Sequence, residues 1–427
     1  HELDEMPFTE KTLFNFQNRI NDHFAKTGIH LLERLFDSLT QKQLKELKIK
    51  ADIQRTDSFQ AGSNIRNYTR LQLLVEMISR IYRVMAEDDK KQYAELFGPY
   101  VAKTSGKYVY SVAPDDLPRE MGAVGLVYHR IATEIRPRYA DQEIFATFDR
   151  VYAEQFVVIN DVIEIRPNAD MTSDSLQSPD DEDATYRRKG TTENRGQVVN
   201  IVETANPENE LQLIVDVAVE ANNIDDGRIL NERLEGLKEK TPDLKEMHGD
   251  GAYGNEDNDN LCRELDITMI LTGIKGAKPS GVELTIDQNE QQEYTVSCPH
   301  QTVKAEQTST RYKACFDASI CAACPLASSC KHSNKRYYFT DEDYRRKQRQ
   351  GAIWRLPPER RTIRANVEAT VRECKRGMNN GKLKVRGHFK TAVYSFTRAI
   401  VVNFGRIVRY LKKKAEDFIK SFKVFIL

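Results

Sequence analysis

Residues 197–274 alternate between strand and helix patterns, and this alternation constrains the fold more than any other feature of the sequence. The order is strand, strand, helix, strand, helix, strand, over residues 197–204, 211–220, 226–239, 244–253, 256–264 and 267–274. In the second strand the odd-numbered apolar residues from Leu211 to Val219 are predicted to share one face, because side chains alternate across a strand. Since strands that alternate with helices build a sheet with helices on its faces, we predict an α/β fold with a mixed sheet.

An earlier segment is predicted to supply one more strand to this sheet. Leu47, Ile49, Ala51 and Ile53 alternate with polar residues, which is the period of a half-buried strand. The alternation ends at Asp57, and the polar sequence SFQAGSNIRN after it is predicted to be a loop.

Helices are predicted on both sides of that strand. Residues 7–46 have a helical period, with Thr9 as a candidate N-cap. The apolar stripe of the first helix consists of Leu13, Phe14, Phe16, Ile20 and Phe24. A second helical stretch runs from Tyr68 to about Asn160, and residues 165–195 are predicted to form a polar loop.

Three acidic residues are candidates for one metal site. Asp57 ends the first strand, Asp250 lies between Gly249 and Gly251 after a later strand, and Glu368 lies on a predicted helix. Three carboxylates suit two Mg²⁺ ions, which take oxygen ligands and stabilise the attacking and leaving oxygens of a phosphoryl displacement. Each acid alone also has a structural interpretation as a cap, a turn residue or a surface ion-pair partner.

The loop at 165–195 contains further polar candidates. Asp170 and Asp174 are alternatives to Asp57, which we favour because it ends an alternating strand. Asp183, Arg187 and Lys189 are candidates for substrate contact or for a solvated loop.

Glu368 lies among cations in RRTIRANVEATVRECKRG, residues 360–377, which is predicted to be one helix. On such a helix it shares a face with Arg364, Arg372 and Lys375, which lie one or two turns away, and Arg376 follows. Two interpretations stay open. The residues form a surface ion-pair ladder, or a metal-binding carboxylate is flanked by cations that hold a DNA backbone.

The C-terminal part of the chain is strongly basic although the whole chain has no net charge. Residues 345–427 contain 23 Lys and Arg against five Asp and Glu, a net charge of +18. A folded region of this charge is typical of a protein that binds a polyanion such as nucleic acid. No apolar run reaches the length of a membrane span and no secretory signal is visible, so we expect an intracellular protein.

Five of the seven cysteines lie between residues 298 and 330. The spacing of Cys321 and Cys324 is typical of a zinc knuckle. Cys298 and Cys330 are the expected partners in a structural four-cysteine site. The alternative ligands are Cys315, His300 and His332. Free thiols and a redox function are the alternatives to zinc, and Cys262 and Cys374 are interpreted as packing residues.

Several of these stretches together resemble the DDE transposases of bacterial insertion sequences, a group with a ribonuclease-H-like catalytic core. The stretches are QRTDSFQAGSNIRNYTRLQLL, SLQSPDDEDATYRRKG, GDGAY, the cysteine segment and RTIRANVEATVRECKRG. Arg364, Glu368 and Lys375 have the spacing of the family's tyrosine-arginine-glutamate-lysine signature. The tyrosine position is Arg361, so that element is absent.

The resemblance implies a catalytic triad of Asp57, Asp250 and Glu368 that holds two Mg²⁺ or Mn²⁺ ions. It implies cleavage at insertion-sequence ends and strand transfer into target DNA, with double-stranded DNA as substrate. A homodimer in the active complex and a location in the bacterial cytoplasm, at the nucleoid, are also implied. The two alternatives are a zinc-containing DNA-binding relic without catalysis and a ribonuclease-H-like nuclease.

These patterns predict six regions. They are an N-terminal helical region read as part of a longer DNA-binding region (1–46), the first core strand and loop (47–66), a helical insert (67–165), the ribonuclease-H-like core (166–277), a cysteine-rich, zinc-ribbon-like insert (278–345), and basic C-terminal helices that complete the core (346–427).

Overall fold

The structure is a computed structural model that describes residues 9–160, 162–272, 282–330 and 336–425. The helices are α1 Glu10–Thr27, α2 Leu31–Glu46, α3 Arg70–Val84, α4 Glu87–Gln92, α5 Ala94–Val101, α6 Ser105–Tyr110, α7 Leu117–Arg130, α8 Ile144–Gln155, α9 Asp226–Lys240, α10 Glu256–Glu264, α11 Ala318–Ala322, α12 Asp341–Arg355, α13 Pro358–Arg361, α14 Val367–Cys374 and α15 His388–Phe425. The strands are β1 Ile53–Gly62, β2 Phe156–Ile159, β3 Val162–Ile165, β4 Thr185–Lys189, β5 Thr192–Thr204, β6 Ile214–Ala221, β7 Glu246–Asp250, β8 Thr268–Thr272, β9 Thr285–Gln288, β10 Tyr294–Cys298, β11 Gln301–Gln307, β12 Tyr312–Cys315 and β13 Arg336–Phe339.

The central sheet is mixed, as the sequence predicts. Its core order is β6-β5-β1-β7-β8, and β4 pairs with the first residues of β5. The pairs β6–β5 and β5–β1 are antiparallel, whereas β1–β7 and β7–β8 are parallel. The parallel strands are joined through helices, as such crossovers require. This arrangement is consistent with a ribonuclease-H-like fold.

Helices cover both faces of the sheet, so its central strands are buried on both sides. On one face, α9 and α10 pack against β6, β7 and β8 around Leu230, Leu234 and Met247. On the other, α2, α14 and α15 pack against β1, β5 and β6 around Phe36 and Val367. The two apolar layers place α14, which carries Glu368, directly against the sheet.

The prediction that the odd-numbered residues of 211–219 share one face is wrong. The pairing of β5 with β6 is irregular after Val202, where a bulge interrupts the register. Leu213 and Val215 pack with α9, whereas Val217 and Val219 pack on the opposite face with α15. A bulge adds one residue to a strand and thereby exchanges its faces, and both faces here are apolar, so the sequence does not show it.

The predicted limits of the first strand are also wrong. β1 begins at Ile53 and continues to Gly62, so Asp57 lies in its middle and SFQAG is strand. Lys48 has a φ of 51°, which ends α2 and prevents an extended start. The alternation before Ile53 instead reflects a loop whose Ile49 and Ala51 pack partly buried against the core.

Residues 165–195 contain a hairpin where a loop is predicted. β4 pairs with the start of β5 through residues 185–189 and 192–196. Gly190, at a φ of 64°, occupies the turn. The paired segment is mostly polar, so hydrophobic alternation cannot reveal it.

The helices α3 to α8 enclose a hydrophobic core of their own. Leu74, Ile78, Phe97, Tyr128 and Phe148 are fully buried there. The apolar stripe predicted for α1 is only partly buried. Leu13, Phe14 and Phe16 are exposed, and only Ile20 is buried with the main core.

A second sheet follows the central one in sequence. It is antiparallel, in the order β13-β12-β11-β10-β9, around a small core that includes Tyr294 and Phe339. The helix α12 packs against β8, β9 and β13, so it connects the two sheets. Among the residues that the structure describes, no helix is long and apolar enough to cross a bilayer.

Candidate active site

The three predicted acids meet around a single arginine, Arg364. Its Nη2 lies 3.0 Å from Oδ2 of Asp57 and 3.9 Å from Oδ2 of Asp250. Its Nη1 lies 3.8 Å from Oε1 of Glu368. Because two aspartate oxygens contact one nitrogen at 3.0 and 3.9 Å, their separation is at most about 6.9 Å. The fold therefore places carboxylates from β1, β7 and α14 around one guanidinium, and among the described residues these three acids do not have the arrangement of a metal site.

Sheet geometry explains how the two aspartates meet. β1 and β7 are parallel partners through Arg55 and His248, and Asp57 and Asp250 lie two residues further along each strand. Residues two apart in a strand face the same side of the sheet. Asp250 ends β7, where its Oδ1 accepts a hydrogen bond from the Ala252 amide at 2.8 Å. The chain turns away there, and the Asp250 side chain is more exposed than that of Asp57, which lies in the middle of β1.

Residues 360–377 are not one helix, which corrects the predicted shared face. A 3₁₀ segment, Ile363–Asn366, separates α13 from α14 and carries Arg364. Arg55 holds this break, because its Nη1 donates to the Ile363 carbonyl at 2.9 Å. Arg364 keeps its contact with Glu368, but it is directed toward the aspartates rather than along a surface ladder.

The remaining cations of that stretch lie on the surface. Arg372 and Arg376 are exposed. Lys375 is the C-cap of α14, and its Nζ lies 5.9 Å from the ring centre of Phe59. These three side chains are thus available to a ligand, whereas Arg364 is bound by the acids.

A buried ion-pair network fixes α14 to the sheet. Glu203 of β5 is fully buried and accepts from Arg55 Nε at 2.7 Å and from Arg406 Nη1 of α15 at 2.8 Å. Thr370 of α14 donates to the same carboxylate at 2.7 Å. Charged hydrogen bonds in a dry interior are strong and directional. Glu203 therefore determines where α14, and with it Glu368, lies against β1.

Burial and charge oppose each other at Asp57. Burial raises the pKa of Asp57, and the nearby carboxylates of Asp250 and Asp226 act in the same direction. The Arg364 guanidinium and the Ser58 amide lower the pKa but do not fully offset the burial. Crowded, half-buried carboxylates of this kind bind cations readily, because a cation removes their mutual repulsion.

Asp226 is a fourth acid close to the site that the sequence patterns did not single out. It lies at the start of α9, and its Oδ1 accepts from the Ser58 hydroxyl at 2.7 Å. Its Oδ2 lies 4.0 Å from Nη2 of Arg187, one of the candidates for substrate contact. Acidic residues are common in the first turn of a helix. For this reason the sequence alone did not indicate Asp226 as a site residue.

The alternative acids lie elsewhere. Asp170 belongs to a 3₁₀ turn after β3. Asp174 accepts from Asn223 Nδ2 at 2.6 Å. Of the other loop candidates, Asp183 accepts from the His388 amide at 2.9 Å and Lys189 is exposed. In the part of the chain that the structure describes, Asp57 contacts Arg364, whereas Asp170, Asp174 and Asp183 do not.

The predicted zinc ligands line one small cavity beside the second sheet. Its volume is about 240 Å³, and its lining includes Cys298, His300, Cys321, Cys324 and Cys330. Cys315 is exposed and is not part of that lining, and His332 lies outside the described residues. Within the described ranges no group of three or more His, Cys, Asp or Glu residues has the arrangement of a metal site.

The two remaining cysteines are buried in helix-packing positions. Burial raises the pKa of the Cys262 thiol to about 12 and that of Cys374 to about 12. Thiols held protonated in this way are unreactive, in agreement with a packing role.

The fold and the acids define the class of the molecule as an α/β protein with a clustered carboxylate site. Residues 289–408 match the family model described as a transposase DDE domain. The match covers the second sheet from β10 onward, α12 to α14 and the first part of α15, and thus includes Glu368. This segment, 120 of the 427 residues, therefore supports a DDE-type transposase, as the sequence patterns predict, and a domain of this kind suggests an enzyme that processes nucleic acid. No curated protein and no solved structure matches the chain.

Proposed function

We propose that this protein is a transposase that cleaves DNA at the ends of a bacterial insertion sequence and joins the freed 3′ ends to target DNA. The observation that supports this proposal is the convergence of Asp57, Asp250 and Glu368 on Arg364. The three acids come from distant parts of the sequence, and a surface ion-pair ladder on one helix would not bring them together.

The carboxylates suit divalent cations by their chemistry. Mg²⁺ and Mn²⁺ prefer carboxylate oxygens, and Asp57, Asp250 and Glu368 would hold two such ions. Bound there, the ions would supply charge stabilisation to an in-line phosphoryl displacement. Arg364 now satisfies part of the charge of all three acids, so metal entry requires the guanidinium to release at least some of these contacts.

The exposed cations next to the acids suit the phosphate backbone of DNA. Arg372, Lys375 and Arg376 lie at the end of α14, beside Glu368 in sequence. Proteins release counterions when their cations neutralise phosphates, so affinity falls as salt rises. We propose that these three residues hold DNA near the acids, while Arg364 positions the carboxylates.

Replacing Arg372 or Lys375 with Ala is expected to weaken DNA binding uniformly across sequences. Each replacement should reduce the slope of log affinity against log salt by about one, because one phosphate contact is lost. Fluorescence anisotropy over a salt series measures the slope. Arg119→Ala is the matched control, because Arg119 is an exposed arginine of the α3–α8 region. A slope unchanged by both site variants would remove these residues from the DNA-binding surface.

The proposed activity is tested with the purified chain and with the DNA that flanks its gene as substrate. Cleavage at discrete ends in Mg²⁺ or Mn²⁺, loss of cleavage in EDTA, and covalent joining to a second DNA would support a transposase. Cleavage without joining would instead indicate a nuclease. Binding without cleavage would indicate a DNA-binding relic.

We also propose a structural zinc ion in the cavity lined by Cys298, Cys321, Cys324 and Cys330. Four thiolates are the ligands of closed, structural zinc sites. Two of the sulfurs already accept N–H groups, from Gln301 Nε2 to Cys321 at 3.2 Å and from the Leu326 amide to Cys324 at 3.4 Å. Such donors stabilise thiolates and orient them, as in the outer shell of a metal site.

Metal analysis of the reduced, purified chain is expected to find one zinc per chain. Cys324→Ser should lose the metal and lower the stability of the second sheet, because zinc binding contributes directly to folding. The matched control is Cys315→Ser, which changes an exposed cysteine outside the cavity. A zinc content below about half an equivalent in the unchanged protein would contradict the site.

Three further proposals complete this function. The six sequence regions are proposed as the domain organisation, with 1–46 as part of a DNA-binding region. The active complex is proposed to be a homodimer on DNA. The site of action is proposed to be the DNA of the bacterial cytoplasm.

A further inference from the structure

The guanidinium of Arg364 lies where the free oxygens of two aspartates converge. One oxygen of each aspartate is already held by a backbone amide. Oδ1 of Asp57 accepts from the Ser58 amide at 2.9 Å, and Oδ1 of Asp250 accepts from the Ala252 amide at 2.8 Å. The other oxygen, Oδ2 in both residues, faces Nη2 of Arg364. A permanently charged side chain thus occupies the place of a cation between the two carboxylates.

The contacts of this guanidinium are incomplete. Arginine carries several N–H donors, but among the described residues Arg364 makes one side-chain hydrogen bond, to Asp57 at 3.0 Å. Its distances of 3.9 Å to Asp250 and 3.8 Å to Glu368 are too long for hydrogen bonds. Its Nε is buried and has no partner in the described part of the chain. Arg364 therefore balances charge here while most of its donors stay unsatisfied.

The backbone around Arg364 is fixed, whereas the side chain reaches the surface. Ile363 is buried, and its carbonyl accepts from Nη1 of Arg55 at 2.9 Å. On the other side α14 begins at Val367, which is fully buried. The Arg364 side chain is 21% exposed. Its guanidinium can therefore leave the acids by rotation about side-chain bonds, and the fold around it does not have to change.

The spacing of the aspartate oxygens matches a guanidinium rather than a divalent ion. Nη2 lies 3.0 and 3.9 Å from the two Oδ2 atoms, whereas Mg²⁺ binds oxygen at about 2.0–2.1 Å. In the described ranges no three acids have the arrangement of a metal site. Because Oδ1 of each aspartate is held by the backbone, the side chain that keeps the two Oδ2 atoms apart is that of Arg364.

We propose that Arg364 is an internal cation that competes with divalent ions for the acids, so that the chain without DNA binds these ions weakly. This inference rests on the proposed function. Guanidinium groups bind phosphate with paired, charged hydrogen bonds, so a DNA phosphate next to the site would draw Arg364 away from the aspartates. Coupling between two ligands is reciprocal. DNA would then raise the affinity for the metal, and the metal would raise the affinity for DNA.

Calorimetric titration of the full chain with Mn²⁺ in the absence of DNA tests the competition. Arg364→Met removes the charge and keeps an unbranched side chain, and it is expected to bind Mn²⁺ about tenfold more tightly, the scale of one charged hydrogen bond. Arg372→Met is the matched control. It removes an exposed cation next to the site that has no ion pair with the three acids among the described residues, so salt should screen its effect on Mn²⁺ affinity.

Thermal unfolding verifies that the variant folds and gives a second measurement. Without metal, Arg364→Met should melt at a lower temperature than the unchanged chain, because the repulsion of the aspartates is no longer balanced. Saturating Mn²⁺ should raise the melting temperature of the variant by more than that of the unchanged chain, since the tighter ligand stabilises more.

Fluorescence anisotropy with a duplex of unrelated sequence tests the coupling to DNA. The ratio of DNA affinity in Mn²⁺ to that in EDTA should be greater for the unchanged chain than for Arg364→Met. Equal ratios would overturn the transfer of Arg364 to DNA.

The metal titration separates this inference from the proposed function. Equal or weaker Mn²⁺ binding by Arg364→Met would overturn the competition and leave the metal site standing, with Arg364 as a residue that positions the acids for metal. No Mn²⁺ binding by either protein would overturn both the competition and the metal site. The titration requires no cleavage, so its result does not depend on the transposase reaction.

Discussion

A Glu368→Gln variant is expected to lose metal-dependent cleavage of DNA while keeping nearly all of its DNA affinity. The change removes a negative oxygen ligand but none of the cations of Arg372, Lys375 and Arg376. Partners that only orient metal ligands are worth roughly 10- to 100-fold in activity, so removal of a ligand itself should cost more than about 100-fold. Cleavage rate in Mg²⁺ and anisotropy binding measure the two effects on the same preparation.

The structure indicates that this substitution changes the charge at position 368 with little effect on the fold. The Glu368 side chain is 67% exposed, and its contact with Arg364 is long, at 3.8 Å. The amide has the same shape as the carboxylate, so the free energy of unfolding should change little. Glu359→Gln, in the exposed first turn of α13, is the control and should cleave normally. Normal cleavage by Glu368→Gln would refute its assignment as the third acid.

A Glu203→Ala variant should be the most destabilising single change at the site. It leaves the guanidinium of Arg55 buried without its carboxylate, leaves Arg406 with Glu373 as its only remaining carboxylate among the described contacts, and removes the acceptor of the Thr370 hydroxyl. Breaking a buried ion pair on one side costs about 3–5 kcal/mol. The free energy of unfolding, measured by urea denaturation, should fall by that amount, and cleavage should fall because α14 loses its position.

An exposed ion pair provides the comparison for Glu203. Glu210→Ala removes a carboxylate that pairs with Lys414 and is 61% exposed. Exposed pairs contribute about 0–1 kcal/mol, so the urea midpoint should move little. Equal losses of stability in the two variants would show that the buried network does not hold α14.

The sequence predicts the helices that flank the sheet better than the strands inside it. α9 and α10 follow clear starts, at Asp225 and Asn255, and their observed limits agree with the predicted ones to within one residue. The start of β1 and the faces of β6 are mispredicted, because a buried loop and a bulge imitate or shift a two-residue period. Apolar alternation indicates which side chains are buried, and a loop can bury alternate side chains as a strand does.

The candidate site also has features that the sequence predicts and features that it does not. Asp57, Asp250 and Glu368 can be singled out as acids near strands and helices, but nothing local in the sequence shows that they meet. The contact between Arg364 and Glu368 follows from their spacing, but Arg364 does not lie on one helix with Glu368, and its contact with the two aspartates depends on the break before α14. Asp226 is concealed because its place at a helix start already has a sufficient explanation.

The separation of the three acids along the chain has a consequence for synthesis. Asp57 and Asp250 are synthesised before Arg364, Glu368 and the Arg406 that anchors α14. A nascent or prematurely ended chain therefore has a sheet with two acids but no third acid. The ability to cut DNA, on the function proposed here, would therefore arise only after α14 and α15 have been synthesised.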